Sequence, residues 1–342
     1  MPEQPGADST RSRWHPRGLG RLRAGVVADP SYRRLRRALT VGCLVVAVAM
    51  PAGSSVTGWP ATGAPAARSP VAGSPVAGSP VAGSPAARSP TVDAPAPTIL
   101  RMLQMNLCNS GRAGCYTGRS VTRAAEVIAA ERPDLVTLNE ICRDDVPALR
   151  RALAKAYTGG TVVSAFQAAG DRPSGADTWC RNGQSYGIGL LARLPTPDTP
   201  HTVHKGIHPA QDVADPEERA WLCLDVAGAL HACTTHLAAT SRTVALAQCD
   251  HLFDEILPAL RGSTGYAPTV LAGDLNLRED GDPDVRACTP PGFLRVDDGA
   301  LQHVLASGDI TLAGTRSVVM DGATDHPALL TTLIVDGRPT SR

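Results

Sequence analysis

From about Thr98 onward, hydrophobic and polar positions alternate in segments typical of strands and helices. Strand-like alternation occurs in TILRMLQMN, DLVTLNE, TVVSAF, YGIGLLAR, HTVHKGI, RAWLCLDV, LHACTTHL, TVLAGDLNL, LQHVLASGDI, TRSVVM and HPALLTTLIV. Helical spacing of apolar residues occurs in GRSVTRAAEVIAAERPD, DDVPALRRALAKAY and SRTVALAQCDHLFDEILPAL. Because strands and helices alternate irregularly, we predict an α/β (α+β) fold with mixed β-sheets and outer helices, not a purely parallel sheet.

The N-terminal part of the chain follows other patterns and divides into three segments. Residues 1–37 are polar and arginine-rich, residues 38–53 are apolar, and residues 54–97 are dominated by Pro, Ala, Gly, Ser and Val. The last of these contains the repeat SPVAGSPVAGSPVAGSP, which is too short and too rich in Pro and Gly to form a packed unit and predicts a spacer. We therefore predict one folded domain over residues 98–342, long enough for a substantial core.

The apolar stretch ALTVGCLVVAVAM (residues 38–50) predicts export of the domain. It follows RRLRR and stops before Pro51, and it matches a signal-peptide core better than a membrane span of about 20 residues. We expect an extracytoplasmic domain, either secreted or tethered to the cell membrane by residues 38–53, with cleavage left open. Membrane contact is expected only through this segment if it is uncleaved, and no protein partner is predicted.

Cysteine usage agrees with export. One of the nine cysteines, Cys43, lies in the apolar stretch, and the other eight lie in the predicted domain. An even number in an oxidising compartment predicts four disulfides. A zinc site is the alternative, but the sequence contains no CxxC pair.

One disulfide pairing has a geometric basis. If AWLCLDV and LHACTTHL form a hairpin that turns near Gly228, Cys223 and Cys233 face each other within disulfide range. The remaining pairings are a short-loop disulfide, Cys108–Cys115, and two that follow by elimination, Cys142–Cys180 and Cys249–Cys288.

The charge of the predicted domain says little about its ligands. The domain has 22 basic and 28 acidic residues, a net charge of −6, although the whole chain has a net charge of +1. This balance counts mildly against nucleic-acid binding through overall charge, and it equally suits a site for divalent cations. Aromatic residues make up only 4% of the chain, which argues against an exposed aromatic hairpin for lipid.

Five predicted strands end at residues with ligand or acid–base chemistry: Asn106, Glu140, His236, Asp274 with Asn276, and Asp325 with His326. Hydrolysis of a phosphate ester needs oxygen ligands for a cation and groups that remove and supply protons. Amide side chains can hold water and phosphate without adding negative charge. Each residue alone is also explained by a turn or a polar strand end, so the prediction depends on the ordered set.

That ordered set resembles the endonuclease/exonuclease/phosphatase superfamily, which includes pancreatic-type deoxyribonucleases, abasic-site endonucleases, neutral sphingomyelinases and inositol-phosphate phosphatases. The motifs occur in the family order, with the Asn of QMN first, then PDLVTLNE, YG, THL, GDLN and TDH. The resemblance covers essentially all of residues 98–342. It implies a DNase-I-like four-layer sandwich, in which two mixed sheets pack face to face with helices outside, and a metal-dependent phosphoesterase activity.

The resemblance also implies roles for the acidic and amide residues. Glu140 would be the main ligand of Mg²⁺ (or Mn²⁺ or Ca²⁺), supported by Asn106 and Asp325. Asp274 would orient or deprotonate the attacking water, and Asn276 would hold the phosphate.

The same resemblance places three further side chains around the phosphate. His236 and His326 would flank it as acid, base or charge stabilisers. Tyr186 matches a family tyrosine near the phosphate, and a core strand aromatic is the alternative interpretation.

Three positions depart from the family pattern. Asn139 precedes the metal-binding Glu where Gln is usual, and Ile188 stands where Asn is common. Gln302 stands where an Asp often orients a catalytic histidine. Its oxygen can accept an imidazole N–H but cannot stabilise an imidazolium by charge. Since the metal ligand and the GDLN pair remain, we expect an active enzyme.

Two other groups of polar residues have structural interpretations. His201, His204 and His208 in HTVHKGIH have a spacing that could bind a metal, but we expect strand residues exposed to solvent. Asp297 and Asp298 are expected to form a turn.

The sequence therefore predicts a metal-dependent phosphoric-ester hydrolase, with a phosphodiesterase acting on DNA or RNA as the leading hypothesis. Arg is the dominant base and would line a substrate groove. A phospholipid or sugar/inositol-phosphate phosphoesterase is an alternative. A non-catalytic surface binding module on the same fold is another, and Gln302 is the feature that favours it.

Overall fold

The computed structural model describes residues 97–336. The segments predicted at 1–37, 38–53 and 54–97 lie outside the described residues, apart from Pro97, as do residues 337–342 of the predicted domain. Within residues 97–336, no helix combines the length and the hydrophobicity needed to cross a bilayer.

Residues 97–336 form four α-helices and fifteen strands. The helices are α1 (Ser120–Glu131), α2 (Val146–Lys155), α3 (Arg242–Asp250) and α4 (Leu257–Thr264). The strands are β1 (Thr98–Asn106), β2 (Leu135–Cys142), β3 (Thr161–Ala168), β4 (Gly170–Asp171), β5 (Ala176–Asp177), β6 (Tyr186–Leu194), β7 (His201–Ile207), β8 (Glu217–Glu218), β9 (Ala220–Val226), β10 (Leu230–His236), β11 (Thr269–Asp274), β12 (Phe293–Asp297), β13 (Gln302–Ser307), β14 (Ile310–Val318) and β15 (Ala328–Val335).

The long strands form two six-stranded sheets. The order is β14-β15-β1-β2-β6-β3 in the first and β12-β13-β11-β10-β9-β7 in the second. Each sheet contains one parallel pair, β1 with β2 and β10 with β11, among antiparallel neighbours. Strands β5, β4 and β8 form a small third sheet. The prediction of mixed sheets is confirmed.

The buried apolar side chains show how the layers are stacked. Met102 and Leu190 of the first sheet share a core with Leu222 and Val270 of the second sheet. A second core lies between the first sheet and helices α1 and α2, and a third lies between the second sheet and helices α3 and α4. The domain is therefore the predicted four-layer sandwich with helices outside.

Disulfides hold the loops and one hairpin of this sandwich. Strands β9 and β10 turn around Gly228, whose φ is 69°, and Cys223 pairs directly with Cys233 in the register. The Cα atoms of these two cysteines are 4.1 Å apart. The other three disulfides also match the predicted pairings: Cys108–Cys115, Cys142–Cys180 and Cys249–Cys288.

The long helix predicted at 241–260 is interrupted. Between α3 and α4, residues His251–Ile256 have π-helical hydrogen bonding. The N–H of Leu257 donates to the carbonyl of Leu252, and Pro258 in the first turn of α4 has no N–H to continue an α-helical pattern.

Three strand predictions also need correction. LQHVLASGDI is divided between β13 and β14 by a turn at Gly308 and Asp309, and TRSVVM continues β14 only as far as Val318. Strand β2 extends beyond Glu140 to Cys142, because a bulge carries the chain past the predicted end.

Candidate active site

The carboxyl ends of the central strands meet at one edge of the sandwich. Asn106 ends β1, and its partner across the parallel pair is Asn139 of β2. His236 ends β10, and its partner is Asp274, the last residue of β11. Because parallel strands end at the same sheet edge, and the two sheets pack face to face, the polar residues at these ends are brought together.

Glu140 lies in a β-bulge. The pairing of β2 with β6 shifts register between Leu138 and Ile141, and Glu140 has a φ of 55°, in the left-handed region. Bulges redirect a side chain that regular pleating would point elsewhere. Here the redirected carboxylate accepts a hydrogen bond from Nδ2 of Asn106, with Oε1 at 2.8 Å.

Asn106 connects the two carboxylates of the site. Its Nδ2 also donates to Oδ2 of Asp274 at 3.0 Å, and its Oδ1 accepts from the N–H of Cys108 at 3.1 Å. The Asn106 amide group therefore lies between the predicted metal ligand, Glu140, and the predicted water-activating group, Asp274.

The GDLN motif folds as a compact turn around Asp274. Oδ1 of Asp274 accepts from the N–H of Asn276 at 3.1 Å, and Nδ2 of Asn276 donates to the carbonyl of Leu237 at 2.9 Å. Asn276 has a φ of 52°, a conformation that Asn adopts more readily than most residues. Asp274 is only 2% exposed, so its carboxylate is held by defined partners.

Asn139 links the two sheets behind the site. Its Oδ1 accepts from the N–H of Asp274 and from Nε2 of Gln104, both at 2.7 Å, and its Nδ2 donates to the carbonyl of Thr235 at 3.0 Å. The side chain is fully buried. An Asn in place of the usual Gln is thus long enough to position the Asp274 backbone.

Gln302 supports the backbone of the site instead of an imidazole ring. Its Oε1 accepts from the N–H of Asn106 at 3.1 Å. Its Nε2 donates to Oδ2 of Asp298 at 3.1 Å and to the carbonyl of Pro327 at 2.5 Å. Pro327 directly follows His326, so Gln302 holds the segment and not the ring. The Gln302 oxygen, which could accept an imidazole N–H, is used here by the Asn106 backbone.

Replacing Gln302 with Ala is expected to lower the free energy of unfolding by about 1–3 kcal/mol. The substitution leaves the buried N–H of Asn106 without its acceptor. The control is Gln167→Ala, because Gln167 is half-buried and donates to the adjacent carbonyl of Ala168, and we expect a change within about 0.5 kcal/mol. Urea denaturation measures both, and equal loss in the two variants would contradict the supporting role of Gln302.

His326 faces the Asp274 carboxylate. Its Nε2 lies 3.7 Å from Oδ2 of Asp274 and 3.9 Å from Oδ1 of Asp325. The His326 side chain is 18% exposed and the Asp325 side chain is 53% exposed, so this pair forms the solvent side of the site. The hydroxyl of Thr324 donates to Oδ1 of Asp325 at 3.2 Å and to the carbonyl of Asn106 at 3.0 Å.

The surroundings of Glu140 fit a divalent cation. Burial raises the pKa of Glu140, the hydrogen bond from Asn106 opposes this, and the charges of Asp274 and Asp325 raise the pKa further. A nearby cation would favour the ionised carboxylate. Mg²⁺ commonly binds through one or two protein carboxylates together with water and substrate oxygens. Glu140 would be the main ligand, with Asn106 and Asp325 beside it.

Among the described residues, no three ligand atoms of His, Cys, Asp or Glu lie within 4.8 Å of one another around Glu140. Within residues 97–336, the one group of three potential ligand atoms that lie within 4.8 Å of one another is Asp325 with Cys108 and Cys115. These cysteines are disulfide-bonded and offer no thiolate. Asp325 therefore lies against the disulfide at the outer side of the site.

Arg219 is a buried cation of the site that the sequence did not reveal. Its Nη1 lies 3.0 Å from Nδ1 of His236 and 3.1 Å from Oε1 of Glu217, and its Nη2 lies 2.8 Å from Oδ2 of Asp215. Burial alone would lower the pKa of Arg219, but Glu217, Tyr186 and Asp215 raise it, so the guanidinium stays charged. Its sequence context, PEERAW, has only adjacent charges before an apolar strand.

His236 is neutral in this environment. Burial lowers the pKa of His236 well below its usual value, and the charges of Arg219 and His326 lower it further. Since the Arg219 guanidinium donates to Nδ1, the ring proton lies on Nε2. Of the predicted roles of His236, this geometry favours hydrogen-bond donation from Nε2 over stabilisation by charge.

Tyr186 is both buried and part of the site. It is 5% exposed, and its hydroxyl lies near enough to Glu140 for the carboxylate to affect its ionisation. Burial raises the pKa of Tyr186 well above its usual value, and the charges of Glu217 and Glu140 add to this, so the hydroxyl stays protonated. Burial also raises the pKa of Glu217 to about 7.

Within residues 97–336, His201 and His204 of β7 and His208, which follows β7, do not form a group of metal ligands. His201 is exposed and His204 is half-buried, whereas His208 is 1% exposed, so the prediction of an exposed set is wrong for His208. The ring of His208 hydrogen-bonds to His251 at 3.0 Å and to Thr235 at 3.1 Å. Burial, followed by the charge of His251, lowers the pKa of His208 to about 3, which suits a structural residue.

The predicted turn at Asp297 and Asp298 is present. The Asp297 and Asp298 carboxylates accept backbone hydrogen bonds from Gly299 and Ala300 at 2.9 and 2.8 Å. Asp298 has the additional contact to Gln302 that sequence reasoning missed.

All eight predicted site residues lie at one edge of the sandwich: Asn106, Glu140, Tyr186, His236, Asp274, Asn276, Asp325 and His326. The arrangement offers a buried carboxylate for a cation, a second carboxylate beside an imidazole, and neutral donors for phosphoryl oxygens.

Comparison with known proteins gives a family match. The model of the Endonuclease/Exonuclease/phosphatase family matches residues 103–326. None of the curated proteins compared with the chain is similar enough in sequence to count as a match.

Solved structures show the same fold. An endonuclease/exonuclease/phosphatase from Beutenbergia cavernae DSM 12333 has a TM-score of 0.51 at 20% identity, over 71% of this chain and 73% of that chain. A protein of that family from Bacteroides thetaiotaomicron has a TM-score of 0.51 at 14% identity, over 70% and 99%. A mannosyl-6-phosphatase from Bacteroides thetaiotaomicron VPI-5482 has a TM-score of 0.49 at 14% identity, over 68% and 99%.

Proposed function

The chain belongs to the endonuclease/exonuclease/phosphatase family of phosphoric-ester hydrolases, and we propose that it is an extracytoplasmic, divalent-metal-dependent phosphodiesterase acting on nucleic acid. One observation carries the proposal. A single amide, Asn106, donates to the carboxylates of both Glu140 and Asp274, which come from different sheets. Glu140 and Asp274 are 134 positions apart in the chain, and they are thus held around one centre.

The side chains divide the chemistry among them. A divalent cation such as Mg²⁺, when bound at Glu140, supplies positive charge for the phosphoryl oxygens. Asp274 is placed to orient the attacking water and accept its proton. His326, 3.7 Å from Asp274, is placed to exchange protons at the reacting phosphate, and neutral His236 donates a hydrogen bond to a phosphoryl oxygen.

A nucleic-acid substrate is supported by the local distribution of charge. Although the domain has a net charge of −6, the loops beside the site contain arginines Arg112, Arg119 and Arg181. Among the described residues, these arginines have no carboxylate within ion-pair distance. Unpaired guanidinium groups next to a phosphoesterase site suit a polyanionic substrate.

An extracytoplasmic location is supported by two independent features. Residues 38–53 have the pattern of an export segment, and all eight cysteines of the domain are paired in disulfides. Disulfides of this number are expected in a compartment that is oxidising.

A substrate panel tests the proposal. The full-length protein is assayed on plasmid DNA, a generic phosphodiester and sphingomyelin, with Mg²⁺ and with a chelator. We expect cleavage of DNA and of the generic diester that the chelator abolishes. Turnover in the presence of chelator would overturn the metal mechanism. Hydrolysis of sphingomyelin alone would replace nucleic acid by a lipid substrate, and silence on every ester would favour a binding module.

A further inference from the structure

The loop that follows β1, residues 107–119, crosses the rim of the site from one side to the other. On one side, the hydroxyl of Thr117 donates to the carbonyl of Ala323 at 2.6 Å, in the segment that leads to Asp325 and His326. On the opposite side, Nε of Arg112 donates to the carbonyl of Trp179 at 2.9 Å. We call residues 107–119 the rim loop.

The rim loop is held rigidly beside Glu140. The N–H of Asn109 donates to the Glu140 carbonyl at 2.9 Å, and Cys108–Cys115 closes the loop covalently. The neighbouring segment, residues 178–185, is tied to the end of β2 by Cys142–Cys180. Because both walls are fixed before substrate arrives, little conformational entropy is lost when a ligand binds between them.

An open cavity of about 150 Å³ lies between the rim loop and this neighbouring segment. We call it the rim cavity, and it is lined by Asn109, Ser110, Gly111, Tyr116, Arg181 and Asn182. It is open to solvent, and the backbone N–H of Asn109 in its lining donates to the backbone carbonyl of Glu140.

The walls of the rim cavity combine an aromatic ring with positive charge. Tyr116 is 43% exposed, and Trp179, whose carbonyl accepts from Arg112 of the rim loop, is 48% exposed. Arg181 is exposed, and within residues 97–336 no carboxylate lies within ion-pair distance of its guanidinium. Exposed aromatic faces stack unpaired bases, and arginines bind the phosphates between them, which is the chemistry of single-stranded nucleic-acid grooves.

We propose that the rim cavity is a substrate subsite that binds the unpaired nucleotide next to the scissile phosphate, with its base stacked on Tyr116 and a flanking phosphate paired with Arg181. The inference rests on the proposed function, because it assigns the nucleic acid to a particular surface. An exposed aromatic ring can stack only on a base that is already unstacked, so the subsite favours single-stranded segments over duplex DNA.

The test compares matched variants of the full-length protein. Tyr116→Ala and Arg181→Ala remove the two contacts. Tyr266→Ala is the control for the first, because Tyr266 has the same 43% exposed fraction but precedes β11, at the end of that strand opposite Asp274. Arg150→Ala on α2 is the control for the second, because Arg150 is also exposed.

We expect KM for a single-stranded oligonucleotide to rise about tenfold in each subsite variant, in line with base stacking on one aromatic ring. The kcat/KM for methyl p-nitrophenyl phosphate, which has neither a nucleobase nor a flanking phosphate, should be unchanged. Tyr116→Phe, which keeps the aromatic face, should behave as wild type. In chelator, fluorescence anisotropy of the labelled oligonucleotide should show a salt dependence of log K shallower by about 0.7 in Arg181→Ala.

The outcomes separate the two proposals. Wild-type protein that cleaves the oligonucleotide, with subsite variants indistinguishable from Tyr266→Ala and Arg150→Ala, would overturn the subsite and leave the proposed function intact. Wild-type protein that hydrolyses the small diester but neither binds nor cleaves the oligonucleotide would overturn both.

Discussion

Asp274→Asn is expected to lower kcat for phosphodiester hydrolysis by about 10²–10⁴-fold, the range for loss of a positioned general base. The substitution keeps the shape of the side chain and the contact with the Asn276 N–H, but the new amide cannot accept a proton from water. It also turns an N–H₂ group toward Nδ2 of Asn106, so some loss of stability accompanies the loss of activity.

Asp198→Asn is the matched control, since Asp198 is exposed in the loop before β7. Its kcat should equal that of wild type. Steady-state kinetics on a generic diester measure kcat for each variant. Circular dichroism shows whether each variant is folded. If folded Asp274→Asn retained the wild-type kcat, Asp274 would have no part in the chemistry.

Glu140→Gln is expected to abolish metal-dependent activity while stabilising the metal-free protein. The pKa of Glu140 is raised above its ordinary value of 4.5, first by burial and then by the charges of Asp274 and Asp325. The folded state therefore binds this proton more tightly than the unfolded state does. In chelator, the stability associated with protonated Glu140 is present below pH about 4.5 and is lost as the pH rises through the raised pKa.

Glutamine keeps the hydrogen bond to Asn106 and carries no charge at any pH, so the Tm difference between Glu140→Gln and wild type should grow above pH about 4.5. A change of 1 kcal/mol corresponds to about 2–4 °C at this domain size. Addition of Mg²⁺ should raise the Tm of wild type and leave that of the variant unchanged. An equal Mg²⁺-dependent rise in both proteins would place the cation elsewhere.

Hydrophobic periodicity predicted most of the fold. Strands β1 and β7 have the bounds of their sequence patterns, and Cys223 faces Cys233 because alternation and a turn glycine together define the hairpin register. Short strands such as β4, β5 and β8 have two residues each, too few for any periodicity to be detected. β4 pairs with β5 in a short hairpin and with β8, which is distant in the chain, and that second pairing is information outside any local window.

The identities of Asn106, Glu140, His236 and Asp274 were accessible because each follows an apolar run, and parallel strands bring such ends together. Tyr186 instead begins β6, and Asp325 and His326 precede β15, so the strand ends predicted at TDH are wrong. The exact geometry of these residues was not accessible from the sequence. Glu140 reaches the site through a bulge with a left-handed φ, and nothing in the sequence TLNEIC predicts that bulge. The resemblance placed Gln302 beside a catalytic histidine, but its partners depend on the path of the segment around Pro327.

Arg219 shows what sequence reasoning cannot supply. Its role depends on burial beside His236, and an arginine between acidic residues and an apolar strand is ordinarily a solvated surface residue. Arg219 lies between β8 and β9, and only the pairing of β9 with β10 brings it against His236.

Anomalous diffraction from crystals soaked in Mn²⁺ would test the central claim, that one cation binds at Glu140 between the two sheets. We predict a single strong peak within about 2.0–2.6 Å of a Glu140 carboxylate oxygen, on the side that faces Asp325 and His326, and none in crystals of Glu140→Gln. A peak that persists in the variant, or one located away from Glu140, would contradict the account.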